Sequence, residues 1–600
     1  MTNANLLSLE LFNCVVSTNM SKFHGNIDTR FLREYGIIIA PGARYAQRTI
    51  EQFIQNSKLS GEQLNKTFYN SWQTIQDSSR LELLIDQIIH YMTTYGTDFT
   101  SDYVYIPREA TTIPEFQKAK MMIIRALPKE EVIEKALALL QGIAMKAETI
   151  DSILNLLGEL DYTFTGEEGI TNKEAIVKIA ELYGVLPSDN TEFLRYLIYR
   201  ATNETLIIKN SETITAIKNS GLNVSMFMRK HGLEKLAQIF NRYKPLFLAF
   251  KAANHGNRSV INRIAKLSKK HHKPMVQNPL NLVTQMSFPS EVLEKAFNKA
   301  TPFMVARTLM VLYTRANQDT FCYNIRNGKS WVAEGESSNF SENFNTLWRL
   351  FIKSLEAKVS GKTFYMPEGV NYALPTSEKN FVGNIPQGSQ FESDELQVGI
   401  YWEDAGGARD LDLSGLGLSK IGWNAAYNTN GMCYSGDITS APNGAVEYLY
   451  SQGRALDYPT LVLNNVYSGS NDCKYRIIVG TTGRKDDSYM MNPNNLMMYA
   501  DCNSVQKQTI LGILLPAGGN KKLRFTVLNI GSGNARVSGN SAISTMAKKA
   551  LYQKWNDCLM LKDVLLGANM IIVDDPATAD FDLSPASLEK DTLINLINYK

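Results

Sequence analysis

The stretch Thr460-Leu461-Val462-Leu463-Asn464-Asn465-Val466, followed after Ser468-Gly469-Ser470-Asn471 by Tyr475-Arg476-Ile477-Ile478-Val479-Gly480, decides the fold class of this chain. Both runs are short, rich in β-branched and aliphatic residues, and parted by turn-forming glycine, serine and asparagine, which is the pattern of consecutive strands. The same pattern recurs at Leu396 to Trp402, Val446 to Tyr450, Thr509 to Leu515 and Leu523 to Leu528. Strands at that spacing, with turns between them, predict an antiparallel β-sandwich over residues 396–582. A helical pattern near Ala542 to Leu565, a strand at Met570 to Val573 and a C-terminal helix over 583–600 are expected at its end.

Upstream the period changes. Val132, Ile133, Ala136, Leu137, Leu139 and Leu140 form a broad apolar helical face after Pro128, which suits a first helical turn, and before Gly142, which suits a helix end. Further helices are expected near Ile150 to Leu160, Lys173 to Tyr183 and Glu192 to Arg200, with Thr171 and Glu174 read as a capping box. Short helices joined by short loops predict stacked hairpins of a solenoid-like kind. Asn327-Gly328, flanked by Phe321 to Ile325 and Lys329 to Ala333, marks a β-hairpin. One more helix, Phe340 to Ala357, then leads into a connector rich in Pro, Gly, Ser and Asn.

The chain therefore reads as an α+β multidomain protein, all-α first and β-sandwich last. The expected divisions are a helical domain at 1–165, a helical-hairpin domain at 166–318, hairpin, helix and connector at 319–395, the sandwich at 396–582 and the closing helix at 583–600. Six hundred residues exceed what one core supports, so several units are required. With 44% hydrophobic and 20% charged residues, pervasive disorder is excluded. Six dispersed cysteines without a C-x-x-C pair exclude a zinc finger and a disulfide framework and fit a reducing, cytoplasmic setting. The N-terminus is unlike a secretory signal, and no apolar run is long enough for a membrane span, so no membrane insertion is expected.

At Tyr401 to Tyr450 the residues become specific. Trp402, Asp410-Leu411-Asp412-Leu413-Ser414, Ser435-Gly436-Asp437-Ile438-Thr439-Ser440-Ala441-Pro442 and Gly444-Ala445-Val446-Glu447 resemble the signature of the TerD-like, tellurium-resistance and stress-response domain. The arrangement is similar to a bacterial and phage subgroup in which that domain closes a long helical protein, sometimes one with a RING-type finger. Further blocks fit the subgroup: Arg242 to Phe250, Lys269 to Pro274, Ile325 to Lys329, Tyr372 to Glu378 and Asp582 to Pro585, so the resemblance spans about residues 190–600. It implies a β-sandwich with a ligand or partner site in a stress-response or phage-related scaffold. Two departures stand out. The dense acidic loop that supplies calcium ligands in such domains is missing after Asp437, where Thr439, Ser440 and Pro442 stand, and no cysteine cluster exists to build a finger. Calcium binding is thus not carried over by the resemblance.

From the residues themselves, Asp410, Asp412, Asp437 and Glu403 are the candidate metal ligands, because loop carboxylates supply the hard oxygens calcium takes. The plainer alternative is that Asp410 and Asp437 bond backbone amides in turns. The candidate nucleic-acid surface is the segment 229–273, with twelve Lys or Arg against the single acid Glu234, a net +11 when the whole chain carries +3. The candidate contact residues among them are Arg229, Lys230, Arg242, Lys244, Lys251, Arg258, Arg263, Lys266, Lys269, Lys270 and Lys273. Phe240, Tyr243, Phe247 and Phe250 interleave with them, either as stacking platforms or, by their helical spacing, as core. An acidic partner, including this chain's own remainder, would suit the same face. Adjacent His271 and His272 point apart on a helix and do not make a metal pair. Met490, Met491, Met497 and Met498 offer either an adaptable surface or packing. No phosphate loop, H-E-x-x-H helix or G-x-S-x-G elbow occurs. The expectation is a binding protein with protein partners, its alternatives being a nucleic-acid-binding protein and a virion or assembly component.

Overall fold

The structure is a computed structural model. It describes residues 2–17, 26–64, 77–85, 88, 121–271, 277–324, 330–334, 340–533 and 558–600, except 406, 418, 424, 430, 453–455, 457, 470–472, 482–494, 505, 520 and 521. Helices and antiparallel sheets are both present, so the α+β class holds. Among the described residues no helix is long and apolar enough to cross a membrane.

The chain divides into two compact units, Lys129–Leu282 in one and Ala4–Pro128 with Val283–Lys600 in the other. The expected divisions lie at 165 and 318, and the bounds between these units at 128 and 282. The expected N-terminal helical domain contains a three-stranded parallel sheet, Cys14–Ser17 and Ile37–Ile39 on either side of Met122–Pro128. Those runs are too short to outweigh the helical signals around them, and their partners lie about a hundred residues away, so sequence spacing gives no hint of the pairing. Residues 4–128 also hold to the C-terminal part of their unit. Lys590 N donates to the Leu11 carbonyl at 2.9 Å, and Gln63 Nε2 to the Tyr401 hydroxyl at 3.0 Å.

The unit Lys129–Leu282 is helical, with helices Lys129–Leu139, Ala147–Glu159, Lys173–Tyr183, Asn190–Thr202, Ser211–Asn219, Ser225–His231, Leu233–Ala253 and Asn257–Leu267. Asn172, not Thr171, caps the third, its side chain accepting from the amides of Glu174 and Ala175. The helices from Lys129–Leu139 through Ser211–Asn219 pack each on the next, and Leu233–Ala253 packs on four others, Asn190–Thr202, Ser211–Asn219, Ser225–His231 and Asn257–Leu267, which makes it the central helix of the unit. Phe193, Leu236, Phe240, Leu246, Phe247, Phe250 and Ile264 make its core. Buried Asn257 ties it together, donating to the carbonyls of Leu222 and Phe250 and accepting from Val224 N.

In the other unit the predicted hairpin forms between Thr320–Asn324 and Ser330–Glu334, and its Asn327-Gly328 turn lies outside the described residues. The helix Ser341–Val359 follows. Most of the expected helix at Ala542 to Leu565 is also outside them; Leu561–Gly567 is helical. The expected closing helix is shorter than predicted, Thr592–Ile597.

The strand-rich region starts before residue 396, because the connector contributes two strands. In chain order they are β1 Val370–Asn371, β2 Gln390–Ser393, β3 Glu395–Trp402, β4 Asp410–Leu416, β5 Lys420–Gly422, β6 Asn428–Thr429, β7 Met432–Tyr434, β8 Ala445–Gln452, β9 Thr460–Ser468, β10 Lys474–Gly480, β11 Leu496–Asn503, β12 Gln508–Ala517 and β13 Lys522–Gly533. They build a seven-stranded antiparallel sheet ordered β5-β4-β9-β12-β13-β2-β1 and a six-stranded one ordered β6-β7-β8-β3-β10-β11. The sheets face each other. Tyr475 of β10 donates its hydroxyl to Asn529 Oδ1 of β13 at 2.6 Å. A Cβ on Gly415 of β4 would meet Leu449 of β8 at 3.3 Å. The outer face of the six-stranded sheet is covered near Tyr448, whose hydroxyl donates to the Leu64 carbonyl.

Candidate metal centre

Asp410-Leu411-Asp412-Leu413-Ser414 is a strand, not the loop that the calcium argument assumed. Its alternation has period two, which sends leucines to one face and aspartates to the other. Gly415 shares the leucine face and lies against β8, so Leu411 and Leu413 fill the space between the sheets. Asp412 then lies on the opposite face, paired across the ladder with Asn465 of β9. A polar strip continues from it: Asn465 Nδ2 is 3.4 Å from both the Asp412 carbonyl and Ser414 Oγ, and Gln508 Nε2 of β12 donates to Asn465 Oδ1 at 3.0 Å. A bulge between Asp410 and Leu411 breaks the register with β9 where the first aspartate enters.

Asp437 comes from the segment between β7 and β8, and that segment is fastened at several points. Ser435 N bonds the Tyr448 carbonyl at 2.9 Å and Tyr448 N bonds Ser435 Oγ at 2.7 Å. Gly436, at φ +117°, turns the chain in a conformation that a side chain would resist. Ile438 N then donates to Glu447 Oε1 at 3.0 Å. The outcome is a cluster in which one carboxylate oxygen from each of Asp410, Asp412 and Asp437 lies within 4.8 Å of the others. The three residues are 2%, 2% and 4% exposed.

Three of the four candidate ligands are thus brought together, and Glu403 is not. It stands exposed beyond the end of β3 and accepts the Tyr401 hydroxyl. The turn after Trp402 is shaped by Asp404, which accepts from Arg409 N at 2.8 Å, and by Trp402, whose indole donates to the Arg409 carbonyl at 3.0 Å. Glu447, not among the four candidate ligands, also belongs to this site. Wholly buried, it accepts Leu413 N at 2.8 Å, Ile438 N at 3.0 Å and the Tyr434 hydroxyl at 2.7 Å. Its signal in the sequence was a lone acid inside an apolar strand, Ala445-Val446-Glu447-Tyr448-Leu449.

Burial governs the electrostatics. Asp437 is pushed up to about 7, by desolvation first and by the Asp410 charge second. Asp412 is driven well above the usual carboxylate range by burial and then by Asp410, Asp437 and Glu447, with Lys420 opposing. Burial in turn lowers Lys420, against the pull of Asp412. Glu447 is likewise raised by burial and Asp437, while its three hydrogen bonds resist. Two full charges about 4.8 Å apart repel by roughly 3–4 kcal/mol at an effective dielectric of about 20. The cluster therefore holds protons or a cation. Asp412 Oδ2 is buried and has no hydrogen-bond partner among the described residues. An all-oxygen donor set with an unsatisfied buried member fits a hard divalent ion, and its spacing is within the roughly 5 Å that separates oxygens across calcium.

The basic segment lies in the helical unit. Phe240, Tyr243, Phe247 and Phe250 are buried core, not stacking platforms. Arg229, Lys230, Arg242, Lys244, Arg258, Arg263, Lys266, Lys269 and Lys270 are exposed and Lys251 half-buried; Lys273 and His272 fall outside the described residues. Glu234 is engaged by Lys270 at 2.7 Å and His271 at 2.9 Å. His231 bonds Asn190 Oδ1 at 3.0 Å and stacks on Phe193. Met497 and Met498 are buried in β11, and Met490 and Met491 lie outside the described residues.

No family model and no curated protein matches the chain. Among solved structures it is similar to the crystal structure of SAV2460, a protein of unknown function, with 8% identity over 24% of this chain and 92% of that one and a TM-score of 0.20. That likeness is too slight to define fold or function.

Proposed function

We propose that the paired sheets are a TerD-like β-sandwich that binds one divalent cation of the calcium class through Asp410, Asp412 and Asp437, within a non-enzymatic binding protein. The observation that carries this reading is the buried, unbonded Asp412 Oδ2 beside two further buried carboxylates. Glu447, by contrast, is engaged by three donors, two of them backbone amides. Three carboxylates would fill half or fewer of calcium's six to eight positions. The stress-response or phage setting, with protein partners, rests on the sequence resemblance.

The cation would replace protons. Because Asp412 and Asp437 are raised, binding near neutral pH releases protons and strengthens as pH rises. Titration calorimetry of the chelator-treated full-length chain with calcium chloride at pH 7.5 tests the reading. The expected result is a single-site heat and a raised melting temperature, both lost in Asp412→Asn. The absence of heat and of any melting shift with millimolar calcium, magnesium or manganese overturns it.

A further inference from the structure

The helical unit carries a second, independent feature. A groove of about 460 Å³ runs between Leu233–Ala253 and Asn257–Leu267, lined among others by Lys244, Lys251 and Lys269, with Asn241, Asn262 and the exposed Leu248 between them. Lys244 and Lys251 are seven residues apart, two turns of one helical face, so their stems are set about 10 Å apart along the groove. Asn241 Nδ2 donates to the Ser268 carbonyl at 3.0 Å and fixes the second helix's end against the first. Arg258 lies four residues before Asn262 on the second helix and adds a cation to the same side. Among the described residues no carboxylate pairs with Lys244, Lys251 or Lys269, and the segment's one acid is held by Lys270 and His271.

We infer that this groove binds the phosphate backbone of duplex nucleic acid without reading its sequence. Cations in a row along a groove floored by Phe240, Leu248, Ile261 and Ala265, with Asn241 and Asn262 beside them, match a line of phosphates, whose affinity comes from counterion release. A protein partner would call for aromatic anchors, and a single strand for exposed rings on which bases stack. The segment's aromatic residues are turned into the core, so neither platform is offered. Asparagines in the groove suit phosphate and sugar oxygens and fix position rather than sequence.

The test is fluorescence anisotropy of the full-length chain with a labelled 20-base-pair DNA duplex, in chelator, from 50 to 200 mM potassium chloride. Three to four phosphate contacts give a log-log salt slope of about −2.7 to −3.6, a loss of affinity of roughly 40- to 150-fold over that range. The double substitution Lys244→Glu, Lys251→Glu should weaken binding at least tenfold at 100 mM and flatten the slope by about two, with the melting temperature unchanged. Lys295→Glu, exposed in the other unit, should leave binding intact, and two duplexes of unrelated sequence should bind alike. No binding at 50 mM, salt-insensitive binding, tighter binding of a single-stranded oligonucleotide, or equal affinity for polyglutamate would each overturn the inference. Chelator in every arm separates this result from the fate of the cation site.

Discussion

Replacing Asp437 by asparagine removes one titrating group from the acidic cluster with little change of shape, and the effect on stability is calculable. In the cation-free fold Asp437 titrates at about 7, whereas an aspartate in an unfolded chain titrates near 3.9. The folded state therefore keeps a proton that the unfolded state gives up between these values. The resulting stability is fully present below about pH 4 and is lost as pH rises through about 7. One proton is worth a factor of ten per pH unit, about 1.4 kcal/mol, so some three units amount to roughly 4 kcal/mol. Hydrogen exchange read by mass spectrometry on peptides covering β4 isolates this region from the helical unit. In chelator, and after correction for intrinsic exchange, wild-type protection should fall about 50-fold more between pH 5 and pH 7 than that of D437N. Asp412 and Glu447 are raised in the same direction, so the wild-type slope is not masked by them. Calcium should restore protection at pH 7 more than at pH 5, since it competes with the proton. Equal slopes for the two proteins, or wild-type protection that grows with pH, would refute the assignment of Asp437 as a buried, proton-holding ligand.

Three further substitutions separate the parts of the argument. Glu403→Gln should leave calcium heat and melting unchanged, because Glu403 is exposed and outside the cluster; a lost heat in calorimetry would return it to the ligand set. Glu447→Ala strands the buried amides of Leu413 and Ile438 and the Tyr434 hydroxyl, and should cost about 3 kcal/mol or more in urea unfolding of the sheet region. Asn257→Ala breaks three hydrogen bonds at the heart of the helical unit, for a similar loss of about 3 kcal/mol there, read by circular dichroism at 222 nm.

Element types were legible wherever a period ran undisturbed. The helix Lys173–Tyr183 falls where the apolar spacing places it, and β9 and β12 extend the predicted strands by two residues or fewer at either end. What failed depends on distance along the chain. The parallel strand Met122–Pro128 pairs with Cys14–Ser17 and Ile37–Ile39, and no local pattern encodes a partner so remote. β4 is concealed for a different reason. Two aspartates made it read as a loop, since charged residues usually lie outside, yet its strict alternation of Asp and Leu is a strand signature whose polar face happens to be buried.

That burial also separates the acids by role. Glu447 and Asp412 are both raised by desolvation and by like charge, so electrostatics alone does not tell them apart. Their hydrogen bonds do. Glu447 joins the two sheets through three donors and completes the unpaired edge of β4, which is what a structural acid does in a core. Asp412 Oδ2 has no donor among the described residues, and replacing its carboxylate by an apolar side chain would remove a charge whose burial a fold does not need. An unsatisfied carboxylate beside two others costs several kcal/mol unless something positive, a proton or a metal ion, sits among them. A proton suffices in acid, but toward and above pH 7 Asp437 releases its own, and the remaining repulsion then favours a divalent cation most strongly where the apo fold is weakest.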